Sequence, residues 1–305
     1  MSYHEPVLVD EVLEHLGPLH GGTVLDATVG GAGHAARILE HCPACDLLAV
    51  DRDPEALAAA RARLAPFGER VRFVNARFDE ALGVAEVAPG SLSGALLDLG
   101  VSSHQLDADR RGFTFRPGAP LGMQMEGEGP SAADLLNEAS ADELHRIFKD
   151  YGELPRARGL AAEIVRRRAA APFAVSDDLV AALSRTLGRS ASMGEKARAF
   201  QALRIALNAE LEALESALPA IRAALAPGAV VVVIAYHSLE DRIVKRAFQE
   251  WSRSCVCPPR LPVCVCRGRP LGETLTRSPV TASAEEAERN PRARSAKLRA
   301  WRAAA

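Results

Sequence analysis

Short runs of almost unbroken apolar residues recur along the first hundred positions, most closing on a polar residue: Thr23–Asp26, Leu47–Asp51, Val71–Asn75 and Ala95–Leu99. Runs of that length without polar alternation predict strands covered on both faces. Between the second and third lies PEALAAARARL, an alanine-rich helix opened by Asp53-Pro54, with proline where a first helical turn tolerates it. Strand, helix, strand at this spacing predicts a parallel, doubly wound α/β sheet. Ala229–Ala235, apolar at every position, predicts a further strand of the same kind.

From about residue 105 to about 215 the rhythm is helical. SAADLLNEASADELHRIFKDYG, ARGLAAEIVRRRA and SDDLVAALSRTLG carry helical periodicity, with Ser131, Ser140 and Ser176 as N-cap candidates. No strand pattern interrupts them, which predicts a helical insert at 105–215 and a discontinuous core at 1–104 and 216–305. One long helix is expected to rejoin the core, with Leu203, Leu207, Leu211, Leu214, Leu218, Ile221 and Leu225 in a stripe that stops at Ala-Pro-Gly. Beyond about residue 252 the chain is rich in proline and arginine and reads as irregular.

Composition adds bounds. The chain has 305 residues, 48% hydrophobic and 25% charged, which is an ordinary globular balance. A net charge of −2 gives no global positive field, so contact with a polyanion has to come from local patches. No run approaches the ~20 apolar residues of a membrane span, and the first residues lack the basic start of a signal peptide; a cytoplasmic protein is expected. Six cysteines occur, as Cys42-Pro-Ala-Cys45 and as Cys255, Cys257, Cys264 and Cys266. In a reducing compartment such clusters favour metal or free thiols over disulfides. The second set, C-x-C-x6-C-x-C, has the ligand types of a structural zinc site but tighter spacing than usual knuckles, so zinc and free thiols both stand. Cys42 and Cys45 lack a redox-dithiol context and are taken as incidental.

Gly30, Gly31 and Gly33 follow the first strand and open a helix, an elbow that brings backbone close to a ligand. A phosphate loop would continue Gly-Lys-Ser/Thr, whereas His34 and Ala35 follow here. Two readings stay open: a relaxed dinucleotide fingerprint, or the adenosyl cofactor of methyltransferases. Asp51, ending the second strand roughly 20 residues further on, suits a ribose diol in either.

Other motifs separate the two. LLDLGVSSHQLD (96–107), RGFTFR (111–116), FQALRIALNAELEALE (200–215), YHSLEDRIVKR (236–246) and NPRARSAKLR (290–299) together resemble, in this order, the MraW/RsmH family. The likeness runs from HEPVLVDEV at His4 almost to the end. It implies a class I (Rossmann-like) methyltransferase sheet with an inserted helical domain that recognises substrate. It also implies S-adenosyl-L-methionine as cofactor and N4-methylation of a cytidine in 16S rRNA, near the decoding site of the small ribosomal subunit. The matching cofactor positions are Ala32, Gly33, His34, Asp51, Phe78, Asp98 and Gln105. This chain has Ala32 where glycine is usual, His104 where proline is usual, and Gly122 and Gln124 in place of an acid and a base.

In-line methyl transfer to a cytosine amine calls for alignment and an acceptor for its N–H. Asp98, Asp26 and His237 are candidates for that work, with Ser238, Glu240 and Asp241 beside His237; Glu240 and Asp241 equally suit a helix N-terminus. Arg198, Arg204, His237, Arg292, Arg294 and Lys297 are candidates for contact with RNA. SAKLRAW also reads as a sheet-edge strand, and Arg166–Arg168 as a solvated face. Besides a methyltransferase, a nicotinamide-dependent oxidoreductase and a non-catalytic ribosome-binding protein share some of these features.

Overall fold

Seven strands form one sheet in the order β3-β2-β1-β4-β5-β7-β6. They are β1 Gly22–Asp26, β2 Cys45–Asp51, β3 Val71–Asn75, β4 Leu92–Asp98, β5 Leu225–Ala235, β6 Gly272–Thr274 and β7 Lys297–Ala303. The computed structural model describes residues 6–101, 105, 108–257 and 265–305. Strands β1 to β5 run parallel; β7 is antiparallel to both β5 and β6. An all-parallel dinucleotide-binding sheet in the order 3-2-1-4-5-6 has no such inserted strand.

Pleating explains why the strand runs are apolar at every position. Val24, Leu96, Val232 and Ile234 enter one core with Leu8, Ile38, Leu39 and Leu64. Their chain neighbours Leu25, Leu97, Val231 and Val233 enter a second, with Leu214, Leu218, Ile221 and Phe248. Adjacent residues face opposite sides of the sheet and both sides are covered. Burying each such side chain contributes about 1.5–3 kcal/mol before entropy is counted.

The chain divides into two units, residues 1–100 with 211–305 and residues 101–210. The sheet belongs to the first. The second is helical, with no named strand among its described residues, and centres on Leu136, Phe148, Leu160, Ile164, Leu179, Phe200 and Leu203. Ser131 and Ser140 cap the helices Ala132–Glu138 and Ala141–Arg146. Ser176 does not cap Ser176–Leu187. Its hydroxyl donates to the Arg116 carbonyl at 2.6 Å, and the Asp178 carboxylate takes the Ala174 and Val175 N–H groups instead.

Three further expectations need correction. The stripe lies on two helices, Met193–Asn208 and Glu210–Ala224, separated by Ala209 at φ +48°, and its last residue, Leu225, already opens β5. Asn208 ends the first by donating to the Arg204 and Met123 carbonyls and accepting the Met125 N–H. The C-terminal segment is not irregular: it supplies β6, the helix Ala284–Arg289 and β7. Strand β7 is internal to the sheet, locked by Trp301, whose ring meets Trp251 edge-on at 5.1 Å and whose indole N–H reaches Ser252 Oγ. Finally, Cys42 and Cys45 form a disulfide. Cys42 follows the helix Gly33–His41 and Cys45 opens β2, so the turn between them brings the two Cα atoms to 5.4 Å.

Candidate active site

In a parallel α/β sheet, ligands bind outside the carboxyl ends of the strands, where strand order reverses. Here that place lies between β1 and β4, whose last residues are Asp26 and Asp98. Asp51 ends the neighbouring β2. The sheet thus sets three acids in a row on one rim.

The elbow leaves β1 through Ala27 to Ala32. Gly30 stands at φ +49° and Ala32 at +58°, both left-handed. At Ala32 an L-residue bears a cost of roughly 1–2 kcal/mol. The elbow's polar groups largely serve the rim itself. The Gly30 N–H donates to Asp51 Oδ2 at 2.9 Å, the Thr28 N–H to Asp26 Oδ1 at 3.2 Å, and Thr28 Oγ1 accepts the Asp98 N–H at 2.6 Å. The Ala32 N–H donates to the Val29 carbonyl, so it is used inside the fold.

Burial sets the charge state of the row. Asp26 is 1% exposed, and desolvation pushes its carboxyl up to about 8, with the Asp98 and Asp51 charges adding to the rise. Desolvation also raises Asp51 to about 6, against the lowering effect of N–H donors from Asp53 and Gly30. Asp53, not Asp51, caps the following helix by accepting the Glu55 N–H at 3.0 Å. Asp98 is raised by burial as well, opposed by His34 and by the Tyr236 hydroxyl.

Asp98 lies between two side chains. The Tyr236 hydroxyl donates to its Oδ1 at 2.8 Å, and His34 Nδ1 stands 3.6 Å from its Oδ2. His34 Nε2 lies 2.8 Å from the Val7 carbonyl, an acceptor only, so Nε2 carries a proton. His34 Nδ1 thus faces Asp98 from just beyond direct hydrogen-bond reach. Burial raises Tyr236 well above its ordinary range, so it stays a hydroxyl donor. Tyr236 was not singled out from sequence. The signal was register: Asp98 pairs with Ile234, and Tyr236 is two residues on, on the same face.

Other site candidates are placed as follows. Gly33 opens the helix after the elbow, and Phe78, in the turn after β3, is half-buried against the second core. Gln105 is buried in the helical unit, while His104 lies outside the described residues. His237 is the N-cap of the helix Ser238–Trp251: its Nδ1 accepts the Glu240 N–H at 3.4 Å, and Glu240 Oε2 takes the Tyr236 and His237 N–H groups. Asp241 forms a buried ion pair with Arg299 at 2.6 Å. Helix opening thus accounts for Glu240, and Asp241 fixes β7.

The RNA candidates separate as well. Arg204 is held by Glu210 through two bonds of 2.8 Å, whereas Arg294, donating to the Ala287 carbonyl at 3.3 Å, and Arg198, donating to the Glu153 carbonyl at 3.4 Å, are both exposed. Lys297 starts β7, and Arg292 lies in the short turn before it. Arg166 and Arg167 pair with Glu163. At Gly122 an added Cβ would stand 2.8 Å from the Arg111 carbonyl, so this backbone leaves no room for an acid there; the Gln124 amide donates to the Gly129 carbonyl. Cys255, Cys257 and Cys266 bring their sulfurs within 4.8 Å of one another; Cys264 lies outside the described residues.

The residues at the rim suit a cationic nucleoside better than a pyrophosphate. Ionised acids attract a sulfonium or an ammonium and repel phosphate; Asp26, up at about 8, holds its proton at neutral pH, so that work falls to Asp51 and Asp98, and Asp51 also keeps lone pairs for vicinal hydroxyls. Sheet and site together define a class I, S-adenosylmethionine-dependent methyltransferase. Residues 1–304 match the MraW methylase family, and the chain belongs to it. It is 51% identical to ribosomal RNA small subunit methyltransferase H of Gemmatimonas aurantiaca, over 99% of this chain and 96% of that protein. The protein of the same name from Heliobacterium modesticaldum is 50% identical, over 98% and 97%. Among solved structures, an rRNA methylase from Streptococcus thermophilus aligns at a TM-score of 0.43 with 11% identity, over 97% of this chain and 94% of that one.

Proposed function

We propose that this protein transfers a methyl group from S-adenosylmethionine to N4 of one cytidine in 16S rRNA of the small ribosomal subunit, near the decoding site, in the cytoplasm. The row Asp26, Asp51 and Asp98 at the switch point carries the chemical half of this reading. The names of relatives that match nearly end to end support the ribosomal half. The cofactor supplies an electrophilic methyl carbon. Asp51 holds the ribose hydroxyls, Phe78 offers an apolar face to adenine, and Ala32, Gly33 and His34 line the methionine end.

Asp98 accepts the N–H of the incoming cytosine amine. That contact restores lone-pair density to the nitrogen and gives the departing proton a destination. Tyr236 and His34 keep the Asp98 carboxyl oriented. Asp26, with its carboxyl up at about 8, already carries a proton at neutral pH and so does not take the amine's. The helical unit, 105–215 in the sequence reading, recognises the RNA, with exposed Arg198 among its phosphate contacts; Arg292 and Lys297 contribute from the tail.

A nicotinamide-dependent oxidoreductase is disfavoured by the same acidic row. The test is transfer of labelled methyl to small subunits from a strain lacking this enzyme, followed by mass mapping of the RNA. Label on N4 of one cytidine is expected. No incorporation, or label on ribose, would refute the assignment and return the non-catalytic ribosome-binding reading.

A further inference from the structure

The three described cysteines of the C-terminal segment take no part in the chemistry above, yet the fold converges them. Cys255 and Cys257 follow the helix Ser238–Trp251, and Cys266 returns from the other arm of the same loop. Around a tetrahedral zinc with Zn–S of about 2.3 Å, sulfurs lie about 3.8 Å apart. Cys266 Sγ lies 3.8 Å from Cys255 Sγ, and all three sulfurs fall within 4.8 Å of each other.

The surroundings also suit a thiolate site. The Val256 N–H donates to Cys266 Sγ at 3.4 Å, the kind of outer-shell bond that orients a metal-bound sulfur. Arg267, next in chain to Cys266, clamps the end of the preceding helix. Its Nη2 donates to the carbonyls of Glu250 at 2.6 Å and Arg253 at 3.1 Å, and its Nε to Arg269 at 3.0 Å. The clamp ties the two arms together at their base, so convergence of the sulfurs does not depend on the metal alone. Its positive charge offsets the net negative charge of three thiolates on a divalent ion.

We infer that Cys255, Cys257 and Cys266 form a thiolate site for a soft divalent cation, zinc, that cross-links the two arms of this loop away from the methyl-transfer chemistry. Binding forms three Zn–S bonds and releases the thiol protons to solvent. No redox step is involved.

The test uses the full chain, purified reduced with added zinc and then desalted. About one zinc per chain is expected by elemental analysis. The Cys255→Ser/Cys257→Ser/Cys266→Ser variant should lose it while still binding S-adenosylhomocysteine. Should that variant fail to fold, cobalt(II) added to the wild-type apoprotein decides the matter through a thiolate-to-cobalt charge-transfer band. Retention of zinc by the folded triple variant would overturn the proposal. So would a wild-type chain with neither bound zinc nor a charge-transfer band, or with a disulfide joining any two of the three.

Discussion

Carboxylates on the sheet rim and carboxylates in the helical unit are displaced to opposite sides of their ordinary range. Glu163 accepts bonds from Arg166 and Arg167, and Glu195 from Arg189 and Ser192; both are drawn down to about 2. Asp26 and Asp51 go up to about 8 and about 6, each chiefly by desolvation. The difference lies in what each charge meets. In the helical unit an acid meets an arginine of its own unit, and the pair serves the fold. On the rim the desolvation of the acids outweighs the donors and charges they meet, an arrangement suited to a cation that arrives with the ligand.

Asp98→Asn tests the catalytic end of this contrast and should have the largest effect. Methyl transfer should fall by about 10²–10⁴-fold, read as single-turnover incorporation at saturating cofactor. A loss below tenfold would remove Asp98 from the chemistry. Asp51→Ala comes next. Losing a charged acceptor of hydroxyl bonds should weaken S-adenosylhomocysteine by roughly 10–100-fold in calorimetry, and unchanged affinity would show the ribose contact to be misassigned.

Stability against pH separates the two kinds of carboxylate by sign. Asp26 has a folded value of about 8 against an ordinary 3.8, so the folded state holds the extra proton and stability falls as pH rises through that window. Asp26→Asn removes the loss. The variant should match wild type near pH 4 and exceed it, by on the order of a few kcal/mol, above pH 8. For Glu163, with a folded value of about 2 against 4.5, the stabilisation is present above 4.5 and lost as pH falls through 2. Glu163→Gln should therefore be the less stable protein at neutral pH and converge with wild type in strong acid. This smallest effect, read as a melting temperature, should come with unchanged methyl transfer. A Glu163→Gln chain that melts like wild type at pH 7 would erase the contrast.

The parallel half of the sheet was legible because two-sided burial writes itself as unbroken apolar runs. Val71–Asn75 and the helix Pro54–Leu64 agree residue for residue with the sequence reading. The antiparallel end was legible only in part: SAKLRAW reads as a sheet-edge strand, whereas β7 is internal. Strand β7, KLRAWRA, carries cations whose burial depends on a distant partner, and nothing local announces that Asp241 will neutralise Arg299. The break at Ala209 hid inside a regular leucine stripe, since periodicity registers faces and not the one residue that turns left-handed. At the site, strand-end position made Asp26, Asp51 and Asp98 readable. Tyr236 needed the register between β4 and β5, and the helix-capping role of His237 could not be told from a catalytic one by residue type.

Proton release on cofactor binding probes the rim most directly. Titrating S-adenosylmethionine into the protein, in two buffers of different ionisation enthalpy across pH 6 to 9, reports protons lost as the ligand arrives. If Asp26 and Asp51 await a cation, binding should expel protons below pH 8, and the release should fade above it. Proton-neutral binding across that range, or equal affinity for a nicotinamide dinucleotide, would contradict the account.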